Sequence, residues 1–539
     1  MGGVHLSLDA IIIADCEVDS LSGSNPLKLN IEGRPADIQV VLNYITNDGD
    51  IPTLPEKGRN ASWASAPKLN GIYLLGFLKD KNFEVALINN YFQEKDQFCS
   101  LLKENPRIVI ISTTFIHSKQ ELRRLVDDIR TMAHDIIIIV GGPFIYSSYL
   151  IWESRGEPEY SIEEIKKDFV FQSHEEPSVD LYIISLKGET ILSEALQRIK
   201  RGSPIDNLPN TARLIGDTYQ FSQRIDDVSR TENFSIDWKS LPSTLFETGV
   251  IPLQASIGCT YRCAFCNFVK DGRLIHIRPL DQLLADLQAV ANRGIRYVWF
   301  LDDNFRLGKR DLNVVSQRLI DEDLGISWMS FMRADTLRDV DFELLRRSGC
   351  RELQIGIESA DANILRDMNK ASDPELYAEV IRELLHAGIN CSCYFIFGFP
   401  GETDETISRT IKFIRNLESQ SLDGVLSWSV YPFILAPLSP IYGAQMRQKY
   451  GLSGYLHDWE HRTMNSKQAR KQILKAFLAI ENSGPIYRGD DQDLLQRLTP
   501  QQGKDFAVSR HRLAKLSLQN TLEKNQIIKA FSKVFPKLG

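Results

Sequence analysis

Residues 256–268 read SIGCTYRCAFCNF and place Cys259, Cys263 and Cys266 on one short stretch with the spacing Cys-x3-Cys-x2-Cys. A structural zinc site takes four ligands, usually as two separated pairs. A disulfide framework takes an even number, in a small secreted domain. Three thiols on one loop fit neither. They fit an iron–sulfur cluster that leaves one iron free for a ligand that is not protein. The other five cysteines (Cys16, Cys99, Cys350, Cys391 and Cys393) are scattered and read as small buried hydrophobes. None of them stands out as a fourth ligand.

Working outward, the loop follows directly from a strand over 251–257, the first of a series. Further strands are expected over 296–301, 327–332, 352–357, 390–397 and 424–431, each separated by a helical pattern. Six β/α units predict a partial barrel, with function at the C-terminal ends of its strands. The cysteines therefore belong to that rim. Upstream, short apolar runs at 8–14, 83–88, 107–112, 135–140 and 181–185 alternate with helical patterns at 68–80, 95–104, 119–132 and 189–200. Continuous runs such as DIIIIVGG indicate strands buried on both faces, hence a parallel, doubly wound, Rossmann-like α/β sheet. The segment 206–247 is rich in Pro, Ser, Asp and Thr and reads as a connector. Beyond 442 the pattern is mostly helical. The expected domains are thus 1–205, a connector over 206–247, a barrel over 248–442 and a helical segment over 443–539.

The 539 residues suffice for two or three cores, and 43% hydrophobic with 25% charged residues is globular composition. A net charge of −7 argues against a dedicated nucleic-acid binder. No stretch is long and apolar enough for a membrane span, and MGGVHLSLDAIIIADCEVDS lacks the basic region of a signal peptide. These features predict a cytoplasmic protein. The last 39 residues carry eight Lys/Arg against two Asp/Glu, read as a solvated basic helix rather than a dock for an anionic carrier or peptide.

Cx3Cx2C after a first barrel strand, with Phe265 before the last cysteine, resembles the signature of radical S-adenosylmethionine (SAM) enzymes. YVWFLDDNF (297–305), FMRADTL (331–337), LQIGIESADANIL (353–365) and FIFGFPGET (395–403) follow in the order that family shows. The resemblance implies a [4Fe–4S] cluster on Cys259, Cys263 and Cys266 whose free iron chelates SAM, which yields a 5′-deoxyadenosyl radical. It further implies SAM contacts from Phe265, from Asp302 and Asp303 (amino group), from Arg333 (carboxylate) and from Glu358 and Ser359 (ribose or methionyl part). A helix cap or rim salt bridge is the competing reading for these polar residues. Gly398 and Gly401 are expected to shape the rim. His276 lies near enough to reach SAM or substrate, whereas His457 and His461 read as one solvated face of a helix.

A doubly wound sheet before such a barrel is similar to the cobalamin-dependent branch of the family. KLNGIYLLGFLKDKNFEVALIN (68–89), IISTTF (110–115), IVGGPF (139–144) and SLKGETILSEAL (185–196) carry that likeness. It implies cobalamin contacts from Ser112, Thr113, Gly141, Gly142, Gly188 and Glu189. Many cobalamin proteins carry Asp-x-His-x-x-Gly, whose histidine ligates cobalt from below; the loop taken to correspond, NNYFQEKDQF (89–98), has none. A docking domain without corrin is the alternative reading, and the absence of G-x-G-x-x-G speaks against a nicotinamide site.

The expected function is methylation of an unactivated carbon, or phosphorus, in a small-molecule or peptide substrate of specialised metabolism. An external donor such as flavodoxin or ferredoxin would supply the electron. Radical rearrangement, ring contraction or cyclisation is the alternative, and a non-catalytic cobalamin or redox sensor is the alternative of another class.

Overall fold

The computed structural model describes residues 8–16, 29–31, 34–36, 66–172, 175–225, 235–268, 276–305, 312–370, 372–419, 423–486, 498–518, 522–532 and 534. The chain divides into two compact units: Met1–Ser20 with Pro67–Pro242, and Leu21–Ala66 with Ser243–Gly539. The described residues 29–31, 34–36 and 66, which the sequence reading places in the first domain, fall in the second unit. Ala66 packs there in a buried cluster with Val250, Tyr297, Trp299 and Met329.

The first unit is built on a seven-stranded sheet. Its strands are β1 (Ala10–Ile13), β2 (Val85–Ile88), β3 (Ile108–Ser112), β4 (Ile137–Gly141), β5 (Leu181–Ile183), β6 (Thr211–Ile215) and β7 (Thr218–Phe221), in the spatial order β2-β1-β3-β4-β5-β6-β7. The first five run parallel. β1 and β3 are buried throughout, as expected of strands covered on both faces. The order reverses between β1 and β3, which places a ligand crevice at their C-terminal ends. Two differences from the sequence reading follow. The supposed connector supplies the antiparallel hairpin β6–β7, which extends the sheet. A helix over Pro143–Glu153, opened by a proline in its first turn, was not expected.

The second unit carries β8 (Val250–Leu253), then a two-stranded ribbon of β9 (Ser256–Ile257) and β10 (His276–Ile277). Next come β11 (Tyr297–Phe300), β12 (Ser327–Met332), β13 (Cys350–Glu358), β14 (Asn390–Phe397) and β15 (Leu426–Pro432). The parallel sheet β8-β11-β12-β13-β14-β15 is closed at one edge by a short seventh strand, Gly484–Pro485. Helices between its strands are capped by side chains: Asp361 for Ala362–Asp367, Asp373 for Pro374–His386 and Thr403 for Asp404–Glu418. The expected first strand is therefore broken after Leu253, where the chain leaves the sheet to form the ribbon that leads into the cysteine loop. The region beyond 442 is not all helical, because Ser453–Tyr455, Asp458–His461 and Met464–Asn465 form a three-stranded antiparallel sheet.

Among the described residues, no helix is long and apolar enough to cross a membrane.

Candidate functional site

The cysteine loop is held by backbone and carboxylate contacts. The Asp302 carboxylate, past the end of β11, accepts from Ala255 N at 3.2 Å, from Ser256 Oγ at 2.5 Å and from Ser256 N. Burial pushes that carboxyl up to about 7 against these lowering hydrogen bonds. Asp303 Oδ2 accepts from Gly258 N at 2.8 Å. The acidic pair thus grips the segment running into the thiols. Further along, Ala264 N donates to Met368 O and Ile441 N donates to Ala264 O, each at 2.8 Å. Asn369 Nδ2 donates to Arg262 O at 2.6 Å. Cys259, Cys263 and Cys266 are half-buried free thiols, and Phe265 is half-buried beside them.

Arg333, just past β12, is brought against this loop. Its guanidinium lies over the Tyr261 ring, 3.6 Å from the centroid, and its Nη1 is 4.0 Å from Cys263 Sγ. Nε donates to Asp335 Oδ1 at 2.9 Å, and the Tyr261 hydroxyl donates to the other Asp335 oxygen. Nη2 is buried with no hydrogen-bond partner. A buried guanidinium donor left open in this way fits an anionic ligand. Asn304, only 2% exposed, leaves both amide atoms unpartnered as well.

Glu358 ends β13 at a φ of 68°, in the left-handed region, and accepts from Lys370 Nζ at 2.8 Å. Ser359 is fully buried, and its hydroxyl accepts from Asp361 N at 3.2 Å, which makes it part of the turn into the next helix. Burial raises the Cys263 thiol while Lys370 and Arg333 pull it down; burial pushes the Cys266 thiol up to about 11. A metal bound here would have to drive their deprotonation. Among the described residues, no three His, Cys, Asp or Glu side chains converge on a single ion. A cluster spreads its thiolates over separate irons and needs no such convergence.

The rim motif is organised differently from its reading. Glu402 is fully buried; its Oε2 accepts from Gly398 N at 2.7 Å while Oε1 has no partner. HDWEH is not helical. It contains a strand, where His461 stacks on Trp459 with ring planes 5° apart and contacts Gly398 O at 3.1 Å. His461 thus supports the rim loop from below. His276 pairs with Ile257 in the ribbon beside the cysteine loop.

A pH prediction arises from Glu402, whose carboxyl burial pushes up to about 8. Between the unfolded value near 4.3 and about 8 the folded chain binds more protons than the unfolded one, so stability falls as pH rises through that window. Glu402→Gln, neutral at every pH, should lie within about 1 kcal/mol of the parent at pH 5, near the bottom of that window. It should gain on the parent by pH 8.5. Denaturant melts of both chains from pH 5 to 8.5 check this, and parallel pH profiles would refute it.

In the first unit, three successive strand ends carry the expected corrin-contacting residues. Ser112 ends β3 and Thr113 follows it, Gly141 ends β4 and Gly142 caps the next helix, and Gly188 and Glu189 open the helix after β5. Ser112 Oγ accepts from Asn70 Nδ2 at 2.8 Å, and the same amide reaches Ala14 O at 2.9 Å across the crevice between β1 and β3. Asn70 Oδ1 is buried without a partner. Thr113 Oγ1 donates to Gly141 O at 2.9 Å. Gly142 has a φ of 110°, and a Cβ there would lie 3.0 Å from Thr113 Oγ1 and 3.1 Å from Thr113 N. Only glycine keeps this cradle open, which suits a large planar ligand approaching the backbone. The loop 89–98 follows β2, the edge strand, and not the crevice. The crevice lies against β1, and no histidine occurs anywhere from residue 6 to 116.

The two parts of the chain that carry these sites match two different domain families. A family model for the B12 binding domain matches residues 65–156, and one for the radical SAM superfamily matches residues 253–414. Residues 65–156 and 253–414 thus match, in that order, the two domains that cobalamin-dependent radical SAM enzymes join, a combination that takes a [4Fe–4S] cluster, SAM and cobalamin. An uncharacterized methyltransferase of Pyrococcus horikoshii is 22% identical over 371 residues, 66% of this chain and 74% of its own length. Other curated relatives are matched over 36% to 57% of their length. Among solved structures, OxsB with aqua-cobalamin covers 99% of this chain and 85% of its own at 14% identity, with a TM-score of 0.59. TsrM of Kitasatospora setae covers 82% and 78% at 16% identity, with a TM-score of 0.54. These likenesses are of fold.

Proposed function

We propose that this chain methylates an unactivated carbon, or phosphorus, of a small molecule or peptide in specialised metabolism. The observation that carries the reading is the presence, in one chain, of a three-thiol loop beside an open buried guanidinium and a glycine-floored cradle at an α/β switch point. In this reading Cys259, Cys263 and Cys266 hold the cluster. Arg333 offers its unpartnered Nη2 to the SAM carboxylate, a charge-assisted contact. Asp303 and Glu358 serve the ammonium and the ribose or methionyl part, and Phe265 packs beside them. Asp302 and Ser359, already committed to backbone groups, position the loops instead. Ser112, Thr113, Gly141, Gly142, Gly188 and Glu189 hold cobalamin. When bound, cluster and SAM supply a hydrogen-abstracting radical and cobalamin supplies the methyl group. The chain's own residues bind, orient and keep water away.

TsrM, solved with tryptophan as substrate, supports a small-molecule acceptor. The electron comes from an external donor of flavodoxin or ferredoxin type, in the reducing cytoplasm that eight free thiols suit. The test is anaerobic reconstitution with iron, sulfide, cobalamin, SAM and dithionite, followed by mass spectrometry. Methyl transfer requires S-adenosylhomocysteine beside 5′-deoxyadenosine. Deoxyadenosine alone would move the reading to a rearrangement, and neither product would point to a sensor.

A further inference from the structure

Lys370 is an ammonium buried to 9% exposure, in the turn after the helix Ala362–Asp367. Burying a cation costs several kcal/mol unless charge and hydrogen bonds offset it, so its surroundings need a reason. Glu358 supplies the contact at 2.8 Å. The fit is close enough to exclude a side chain at 356, since a Cβ on Gly356 would lie 2.5 Å from Glu358 Oε1 and 3.2 Å from Lys370 Nζ. The turn that carries Lys370 is also tied to the cysteine loop. Met368 O accepts from Ala264 N, and the Asn369 side chain donates to Arg262 O, on either side of Cys263. Lys370 therefore sits in a turn bonded directly to the cysteine loop. Two cations are thus tied to this loop, each paired with one carboxylate: Arg333 with Asp335, its Nη1 4.0 Å from Cys263 Sγ, and Lys370 with Glu358, in the turn bonded on either side of Cys263.

We propose that Lys370 and Glu358 form a charge pair that sets the reduction potential of the cluster at Cys263, with Lys370 as the positioning cation. Reduction adds one negative charge to the cluster. A fixed cation beside one thiolate stabilises that charge and raises the potential, and a fixed anion lowers it. Low-dielectric surroundings enlarge both effects. The inference rests on a cluster held by the three cysteines.

The experiment uses the full chain, reconstituted anaerobically without SAM, in redox titrations followed by electron paramagnetic resonance. Lys370→Met should make the cluster about tenfold harder to reduce, a shift of about 59 mV to lower potential for one electron. Lys370→Arg should stay within about twofold of the parent, because the charge is kept. Glu358→Gln should shift the potential upward. Opposite signs for Lys370→Met and Glu358→Gln distinguish charge from simple disturbance of the loop. Equal potentials, or shifts of the same sign, overturn the proposal. If Lys370→Met takes up no iron, Glu358→Gln decides alone, and an unchanged or lowered potential overturns it. A parent chain that assembles no cluster overturns the cysteine assignment together with this proposal. A normal cluster with unshifted potentials overturns this proposal only.

Discussion

Replacing Cys259, Cys263 and Cys266 together by alanine should leave a folded chain that binds no iron after anaerobic reconstitution and forms no 5′-deoxyadenosine above background. The expectation of intact folding is specific. The loop is fixed by Ala264 N to Met368 O, by Ile441 N to Ala264 O and by the Asp302 and Asp303 carboxylates, none of which involves a thiol. The three thiols are half-buried on a rim loop, so their loss should change stability by no more than about 1 kcal/mol. Catalytic loss should instead be complete, because all three ligands are gone and Cys391 and Cys393 cannot stand in: they are buried against each other, with sulfurs 3.7 Å apart on β14. Iron content, circular dichroism and product analysis on one preparation separate the two effects. A triple variant that still cleaved SAM at the parent rate would remove the radical SAM assignment of these cysteines.

How far the sequence could be read depended on which physical signal each segment carried. The parallel strands were legible because burial on both faces forces continuous apolar runs, and IIIVG became β4 within a residue or two. The hairpin β6–β7 was not, since TARLI and TYQF are short and edge-exposed, with little apolar patterning. HDWEH misled because positions four apart share a face in a strand as well as in a helix. The cluster loop announced itself through cysteine spacing alone. Arg333 was found from motif position, but its open Nη2 depends on Tyr261 and Asp335, which no local pattern joins. Lys370 was missed altogether, for its role arises from a turn that tertiary hydrogen bonds bring to the cysteine loop. The histidine question was asked of the wrong loop. Sequence order put 89–98 forward, whereas strand order places the crevice at β1 and β3. The whole stretch 6–116 lacks histidine, so the expectation of no imidazole ligand rests on that stretch and not on the 89–98 loop.

The cradle at β4 gives the second large effect. Gly142→Val should abolish cobalamin retention through gel filtration while the second unit still assembles its cluster. Valine at a φ of 110° is strained, and strain of this kind costs roughly 1–3 kcal/mol. Its side chain must also occupy the space 3.0 Å from Thr113 Oγ1, so either the β3 loop or the β4 loop has to move. Both loops belong to the same proposed floor, and Thr113 ties them through its bond to Gly141 O. A displaced floor should weaken corrin binding by at least about tenfold, equivalent to about 1.4 kcal/mol. Gly142→Ala carries the same φ strain with a smaller side chain and should show an intermediate loss. It also guards against a valine variant whose first unit fails to fold. The chemistry should divide accordingly. With cluster intact and cobalamin absent, SAM cleavage to 5′-deoxyadenosine should persist, while S-adenosylhomocysteine should fall to background because no corrin is present to receive a methyl group. Full cobalamin retention by Gly142→Val would show that the glycine floor is a packing device, and would move the corrin away from β4.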